Sequence, residues 1–268
     1  MNSVKKIRAD ELLFLQGKAE SRSQAKILIM AGKVRSGPDS LIAKPAQLLP
    51  ETAELSVELP PRFVSRGGEK LAGALAQFSV PVAGLDALDI GASTGGFTDC
   101  LLQNGAAHVT SVDVGHGQLH EKLRRDPRVA NLEKVNARAL DSVALPRGRY
   151  DIVVGDLSFI SLKKILEPAW NRVKPGGALI MLIKPQFEAT REEAARCAGV
   201  IRDPAIHERV CREIPDFARE RLAGFALEGL CDSPIRGGDG NREFLFCARK
   251  KSAAPAGNSS CQENDTVS

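Results

Sequence analysis

An α/β fold, a largely parallel sheet covered by helices and preceded by a small basic α+β module, is what this 268-residue sequence predicts. Three observations predict it. From residue 87 onward short apolar runs alternate with amphipathic stretches, the pattern of parallel strands buried on both faces. A loop of small residues, Gly91-Ala92-Ser93-Thr94-Gly95-Gly96, joins the first apolar run to the first amphipathic stretch. Residues 1–37 have a two-helix pattern of their own and carry eight Lys or Arg against three Asp or Glu, although the whole chain has a net charge of only +4.

The chain opens on Met1-Asn2-Ser3-Val4-Lys5-Lys6 and continues amphipathic rather than apolar, so no signal peptide is expected. Ile7, Leu12, Leu13 and Leu15, set beside Arg8, Asp10, Glu11 and Gln16, predict a helix over 8–16 that Gly17 closes. Ser21 is a fitting N-cap for a second helix, with Ala25, Leu28 and Ile29 on one face and Arg22, Gln24 and Lys26 projecting from it; Gly32 ends it, and Lys33-Val34-Arg35 continues as a strand. This arrangement resembles the S4 RNA-binding module, with Ala19 to Ala25 and Met30 to Val34 carrying the likeness. The resemblance implies that Lys18, Arg22, Lys26, Lys33 and Arg35 meet RNA phosphates; without it they read as a solvated charged face. Ser36-Gly37-Pro38-Asp39-Ser40 is richer in turn residues than the usual loop of that module. Leu59-Pro60-Pro61-Arg62 reads as a stiff linker, which places domains at 1–60 and 61–250.

After the linker, Ser65-Arg66-Gly67-Gly68-Glu69-Lys70-Leu71 leads into a helix with Leu71, Leu75 and Phe78 at core spacing and Lys70 beside that face. Strands are expected at 87–91, 107–112, 131–135, 151–155, 178–183, 225–231 and 243–248, with helices near 95–105, 117–126, 161–173 and 204–223. Pro175-Gly176-Gly177 turns sharply into the fifth strand, and a glycine-rich loop, Ser233 to Gly240, joins the last two. Residues 251–268 read as a disordered tail. Six cysteines without a C-x-x-C pair fit reduced thiols, with no disulfide and no structural zinc, in a cytoplasmic chain. The four histidines offer no metal set, although His116 and His120 are one helical turn apart. No apolar run approaches a membrane span, and aromatic content of 4% supplies few interfacial anchors, so no stable membrane association is expected.

In a doubly wound sheet the ligand lies at the carboxyl ends of the strands, where strand order reverses. Asp89 and Gly91 close the first strand, Asp113 the second, Asn136-Ala137 the third and Asp156 the fourth. The small-residue loop lets backbone approach a ligand closely and opens a helix whose N-terminus is positive. Its spacing satisfies neither the dinucleotide fingerprint nor the phosphate-binding P-loop. Asp113 stands about 20 residues beyond the loop, where a carboxylate can accept the hydroxyls of a ribose. Gly115-His116-Gly117-Gln118-Leu119 shapes the rim of that site.

These residues resemble those of S-adenosylmethionine-dependent methyltransferases with a Rossmann-like sheet. The resemblance implies S-adenosyl-L-methionine held by Asp89, Gly91, Ala92, Ser93, Thr94, Gly95, Gly96 and Phe97 along its methionine part, by Asp113 at the ribose and by Asn136 and Ala137 at the adenine. Lys70, Asp156, Lys184 and Glu243, in that order, look like the tetrad of the FtsJ-like RNA ribose 2′-O-methyltransferases. Over residues 7–249 the chain is similar to the TlyA or hemolysin A family. The implied activity is methylation of ribosomal RNA, free or in a ribosomal subunit, with Lys184 activating or orienting the 2′-hydroxyl, its three partners positioning it, and Arg66 joining the RNA-binding cations. Whether Lys184 serves as base or as a charged orienting group stays open at this stage, since Lys70 and the two carboxylates push it in opposite directions. Three other readings compete: a membrane-active hemolysin, a non-catalytic RNA-binding protein that keeps the cofactor fold, and an enzyme acting on an RNA base or a protein amide. The last would favour a Pro-Pro-Tyr or Pro-Pro-Phe sequence where Asp156-Leu157-Ser158-Phe159 stands.

Overall fold

The computed structural model describes residues 5–37, 40–58 and 61–252. Pro38 and Asp39 of the turn-rich loop, Leu59 and Pro60 of the linker, the first four residues, and residues 253–268 of the expected tail lie outside the described residues. The chain divides into two compact units, Met1–Pro61 and Arg62–Ser268.

The first unit runs β1 (Lys6–Arg8), α1 (Ala9–Leu15), α2 (Arg22–Met30), β2 (Val34–Ser36), β3 (Leu48–Pro50) and β4 (Leu55–Val57). Its first helix starts later than the apolar spacing predicts, because residues 6–8 are drawn out as a strand against β3. The Ser21 side chain caps α2 by accepting from the Gln24 N–H at 3.1 Å. Leu12, Leu13, Ala25, Ile29, Val34, Ile42 and Leu55 close the core. Asp10 is fully buried there, and the forked hydrogen bonds from Arg8, at 3.0 and 2.9 Å, hold its carboxyl below the ordinary carboxylate range. Three of the expected RNA-facing cations are engaged within the unit: Lys18 donates to the Leu55 carbonyl, Arg22 bridges Asp10 and Glu11, and Arg35 lies 3.5 Å from Glu58. Lys26 projects into solvent from α2, and Lys33 is half-buried.

The second unit opens with α3 (Gly67–Gln77) and continues β5 (Asp86–Ile90), α4 (Gly96–Gln103), β6 (His108–Val112), α5 (Glu121–Arg124), β7 (Val129–Leu132), β8 (Tyr150–Gly155), α6 (Leu166–Asn171), β9 (Val173–Ile183), α7 (Pro185–Glu188), α8 (Arg191–Arg196), α9 (Pro204–Arg221), β10 (Phe225–Asp232) and β11 (Phe244–Lys250). Seven strands form one sheet in the order β10-β11-β9-β8-β5-β6-β7. Strands β5 to β9 pair in parallel, and β11 runs antiparallel to both its neighbours, so the sheet is largely parallel with one reversed strand. The link from Ser233 to Glu243 is shorter than a crossover requires, so β11 must return beside β10. Alternate strand residues face opposite layers. Ala87, Ile152, Val154, Ile180 and Leu182 pack on Leu71, Ala74, Phe97 and Leu101 of α3 and α4. Leu88, Ile90, Val153, Leu179, Met181 and Phe246 pack on Leu166, Trp170, Val210 and Ile214 of α6 and α9.

Strand order reverses between β5 and β8, so a crevice opens beyond their carboxyl ends. Several elements around it differ from expectation. The strand placed at 131–135 is Val129–Leu132, and the helix placed at 117–126 is the single turn Glu121–Arg124. Glu133 accounts for the shortened helix. One of its carboxylate oxygens accepts from the Gly117 N–H at 3.0 Å, from Asn131 at 3.1 Å and from Arg124 at 2.9 Å, and the other pairs with His116. This ties residues 115–117 down as a loop, while Lys134, at a φ of +59°, ends the strand. Asn136 consequently does not end a strand. It caps a 3-10 turn, Ala137–Ser142, by accepting from the Arg138 N–H at 3.0 Å. His120 caps α5 through its own ring nitrogen, so the two histidines do not share a helix face. The helix placed at 161–173 splits into a 3-10 turn, Leu162–Lys164, and α6. Strand β9 begins at Val173 and passes through Pro175-Gly176-Gly177 with a shift of register against β8, rather than starting after a turn.

The Glu133 tether has a pH signature. Desolvation pushes its carboxyl upward, but hydrogen bonds from Gly117, Asn131 and His116 outweigh it and set the pKa at about 2, against an ordinary 4.5. A carboxyl depressed on folding contributes stability above its unfolded pKa and loses that contribution as pH falls through the folded one. The stability difference between the wild type and Glu133→Gln is therefore expected to be full above pH 4.5 and to shrink toward zero by about pH 2, as urea melts at a series of pH values would read.

Candidate active site

The polar residues at the crevice are placed by strand ends. Asp113 follows β6, Asp156 follows β8 and Lys184 follows β9, each the first residue after its strand. Glu243 arrives by a different route. Because β11 is antiparallel, its amino end lies beside the carboxyl ends of the parallel strands, and the pairing of Phe244 with Ile183 sets Glu243 next to Lys184. Lys70 reaches in from the first turns of α3.

Together they form a chain of alternating charge. Lys70 Nζ lies 2.7 Å from Glu243 Oε2 and 3.4 Å from Asp156 Oδ2; Lys184 Nζ lies 2.5 Å from Asp156 Oδ1 and donates to Ser158 Oγ at 2.9 Å. Both lysines are 8% exposed and Glu243 is 2% exposed. Charges at that depth need partners, and two cations against two anions supply them. Gly237 lies directly on Glu243: a Cβ there would stand 2.1 Å from its Oε1, so any other residue would have to displace the carboxylate from its place beside Lys70.

The small-residue loop is built differently from a phosphate cradle. The Gly91 and Ala92 N–H groups both donate to the Val112 carbonyl, at 2.9 and 3.2 Å, and the Ser93 N–H donates to Asp113 at 2.8 Å. Amides that would have met an anion are thus used inside the fold. Gly91, at a φ of +79°, also lies so close to Asp156 that a Cβ would meet its carbonyl oxygen at 2.8 Å. Asp89 stands beneath the loop, fully buried and in contact with neither cavity described below. It accepts from the Thr98 hydroxyl at 2.7 Å, tying β5 to α4, and burial pushes its carboxyl up to about 7 against the opposing pull of Thr98.

Two cavities meet over Gly91, Ser93, Asp156 and Ser158. The larger, about 550 Å³, has Val112, Val114, Leu157 and Ile160 as apolar wall and Asp113, Gln118 and Asn136 as polar groups, with Ala137 beside them. Asp113 gives one oxygen to Ser93 and the other to the Gly115 N–H at 2.7 Å, which fixes the carboxylate and leaves lone pairs for a diol. The smaller, about 280 Å³, is lined by Ser65, Arg66, Lys70, the loop from Gly91 through Phe97 except Gly95, and the Asp156–Lys184 pair. Gly95 instead packs behind the loop, against Leu119 and Leu123. A nucleoside suits the first cavity; the second, which carries most of the loop and the Asp156–Lys184 pair, has room for a compact tail and a hydroxyl acceptor.

Sequence reasoning missed Ser158 and Phe159, which follow Asp156. Phe159 is 91% exposed, has a φ of +63° and sets its ring against Phe187 at 5.3 Å. Neither its exposure nor its backbone angle is visible in sequence.

Residues 63–250 match the FtsJ-like methyltransferase family. The chain is 44% identical over 249 residues to a 16S/23S rRNA (cytidine-2′-O)-methyltransferase, TlyA, of Mycobacterium tuberculosis, covering 92% of this chain and 91% of that one. It is 38% identical over 239 residues to Hemolysin A of Brachyspira hyodysenteriae, covering 89% and 98%. A solved structure from Streptococcus thermophilus, named for a hemolysin, is 42% identical and superposes with a TM-score of 0.67 over 93% of this chain and 90% of that one. Strand order, crevice and matched residues converge: the chain belongs to the FtsJ-like methyltransferase family.

Proposed function

We propose that this chain transfers a methyl group from S-adenosyl-L-methionine to a ribose 2′-hydroxyl of ribosomal RNA. The observation that carries the reading is the Glu243–Lys70–Asp156–Lys184 chain, with both lysines and Glu243 buried, at the junction of the two cavities. The residues present fit the cofactor: Gly91 to Gly96 give a close-packed loop for its methionine part, Asp113 can accept both ribose hydroxyls, and Asn136 and Ala137 border the adenine pocket. A cofactor without phosphates suits a loop whose amides are already used. When bound it supplies an electrophilic methyl on a sulfonium. Lys184 faces the cavity in which the acceptor would sit and activates or orients the 2′-hydroxyl for in-line attack, while Asp156 holds it in place. Lys70 keeps Asp156 and Glu243 in register.

The substrate class is supported by the relatives named as acting on 16S and 23S rRNA and by the first unit, which we read as an S4-like module. Its Lys26 and Lys33, together with Arg66 of the second unit, are the cations best placed for phosphate; Lys18, Arg22 and Arg35 would have to exchange internal partners. A relative named Hemolysin A raises lysis as a second reading. Among the described residues no helix is long and apolar enough to cross a membrane.

Three outcomes follow from this assignment. Lys184→Ala folds, because Lys70 still neutralises Asp156, and loses methyl transfer by about 100-fold or more while retaining cofactor binding, measured with labelled cofactor and by calorimetry. Undiminished transfer would refute the catalytic role, and lysis of erythrocytes by this variant without cofactor would favour the second reading. Lys70→Ala loses stability as well as activity, because Glu243 keeps no cation at 2% exposure; a thermal melt lower than that of Lys184→Ala is the expected result. Lys26→Glu combined with Lys33→Glu raises the KM for RNA and flattens its salt dependence, with cofactor affinity unchanged.

A further inference from the structure

Ser158 has no part in the reaction as described so far. It stands on the loop leaving β8, accepts a hydrogen bond from Lys184 Nζ at 2.9 Å, and lines both cavities. The loop is tied down on either side of it. Before it, the Asp156 N–H donates to the Ile90 carbonyl at 3.2 Å. Beyond it, Phe159 packs on Phe187 with ring centres 5.3 Å apart, and the Ser161 hydroxyl and Leu162 N–H each donate to Glu188 at 2.6 Å. Phe187 and Glu188 belong to α7, which starts immediately after Lys184. One short segment therefore carries the lysine and also anchors the loop that presents the serine. The separation between them is set by these ties, not by burial of Ser158, which is itself exposed.

We propose that Ser158 is a positioning residue which, with Asp156, fixes the rotation of the Lys184 amino group. A lysine nitrogen has three directions besides its bond to carbon. One points to Asp156 Oδ1 at 2.5 Å and one to Ser158 Oγ at 2.9 Å, so a single direction is left for the smaller cavity, which Lys184 lines. With Asp156 as its sole anchor the nitrogen would turn about its terminal bond, and the direction offered to the acceptor hydroxyl would no longer be unique. Such a defect falls on the chemical step and spares binding. The inference rests on the methyl-transfer reading above.

The test is steady-state methyl transfer to ribosomal RNA by the full-length Ser158→Ala and Ser158→Thr proteins, with cofactor affinity and thermal melting measured alongside. For Ser158→Ala, kcat is expected to fall about tenfold, with the KM for RNA and the cofactor Kd within about twofold of wild type and an unchanged melt. Ser158→Thr, which keeps the acceptor oxygen, restores kcat to within about threefold of wild type. A wild-type kcat in Ser158→Ala, a threonine variant as slow as the alanine one, or a loss confined to KM overturns the inference. Lys184→Ala in the same assay separates the failures. If it turns over normally, the catalytic reading falls and this inference with it; if it is dead while Ser158→Ala is normal, only the role of Ser158 is lost.

Discussion

Two lysines and two carboxylates occupy a space that excludes most water, and the architecture of the larger unit answers the need of each for a partner. An isolated ammonium or carboxylate at such depth carries a desolvation penalty of several kcal/mol, about what Coulomb attraction at ion-pair distance can return. The alternation Glu243–Lys70–Asp156–Lys184 meets that requirement with contacts of 2.5 to 3.4 Å. It also constrains the fold. Lys70 comes from a helix before the sheet, Asp156 and Lys184 from adjacent strand ends, and Glu243 from the last strand, so the set closes only when all four elements have reached their final places.

Reversal of β11 matters most in this respect. A parallel last strand would bring its carboxyl end to the crevice and leave Glu243, which precedes it, at the opposite edge of the sheet. Antiparallel pairing of Phe244 with Ile183 delivers Glu243 to the neighbourhood of Lys184. The glycine-rich loop before it contributes twice: it is too short for a crossover, which imposes the reversal, and Gly237 lets its backbone lie directly on the carboxylate. Topology and site chemistry are thus set by the same stretch of residues.

Much of this was legible in the sequence, for identifiable reasons. Apolar runs ending in Asp113, Asp156 and Lys184 mark strand ends, since a buried strand gives way to polar residues only where the sheet meets solvent or a site. The two short helices of the first unit announced themselves through Ser21, Gly17 and Gly32. What was not legible depends on contacts distant in sequence. The expected helix at 117–126 has acceptable local propensity, but Glu133 reaches back to Gly117 and His116 and holds the segment as a loop. Asp89 looks like a ligand-facing acid from its place before the glycine loop, whereas the side-chain direction within β5 turns it toward Thr98. Ser158 carries no sequence signal, because its relation to Lys184 is made through α7.

The small-residue loop gains a different meaning from this geometry. Glycine and alanine there do not free amides for an anion, since Gly91, Ala92 and Ser93 spend theirs on Val112 and Asp113. They let the loop fold down against Asp156, with Gly91 at a φ of +79° and no room for a Cβ before the Asp156 carbonyl. Close packing of the loop on Asp156 brings the floor of the nucleoside cavity to the edge of the charged chain, and the Ser93–Asp113 bond sets the carboxylate that a ribose would meet. A phosphate at this position would face Asp113 and Asp156 with no amide donor from Gly91, Ala92 or Ser93, whereas a cationic, phosphate-free tail meets those carboxylates favourably. Selection among ligands therefore arises from where the backbone has already used its hydrogen bonds, and that choice is made by the junction of β5, β6 and β8.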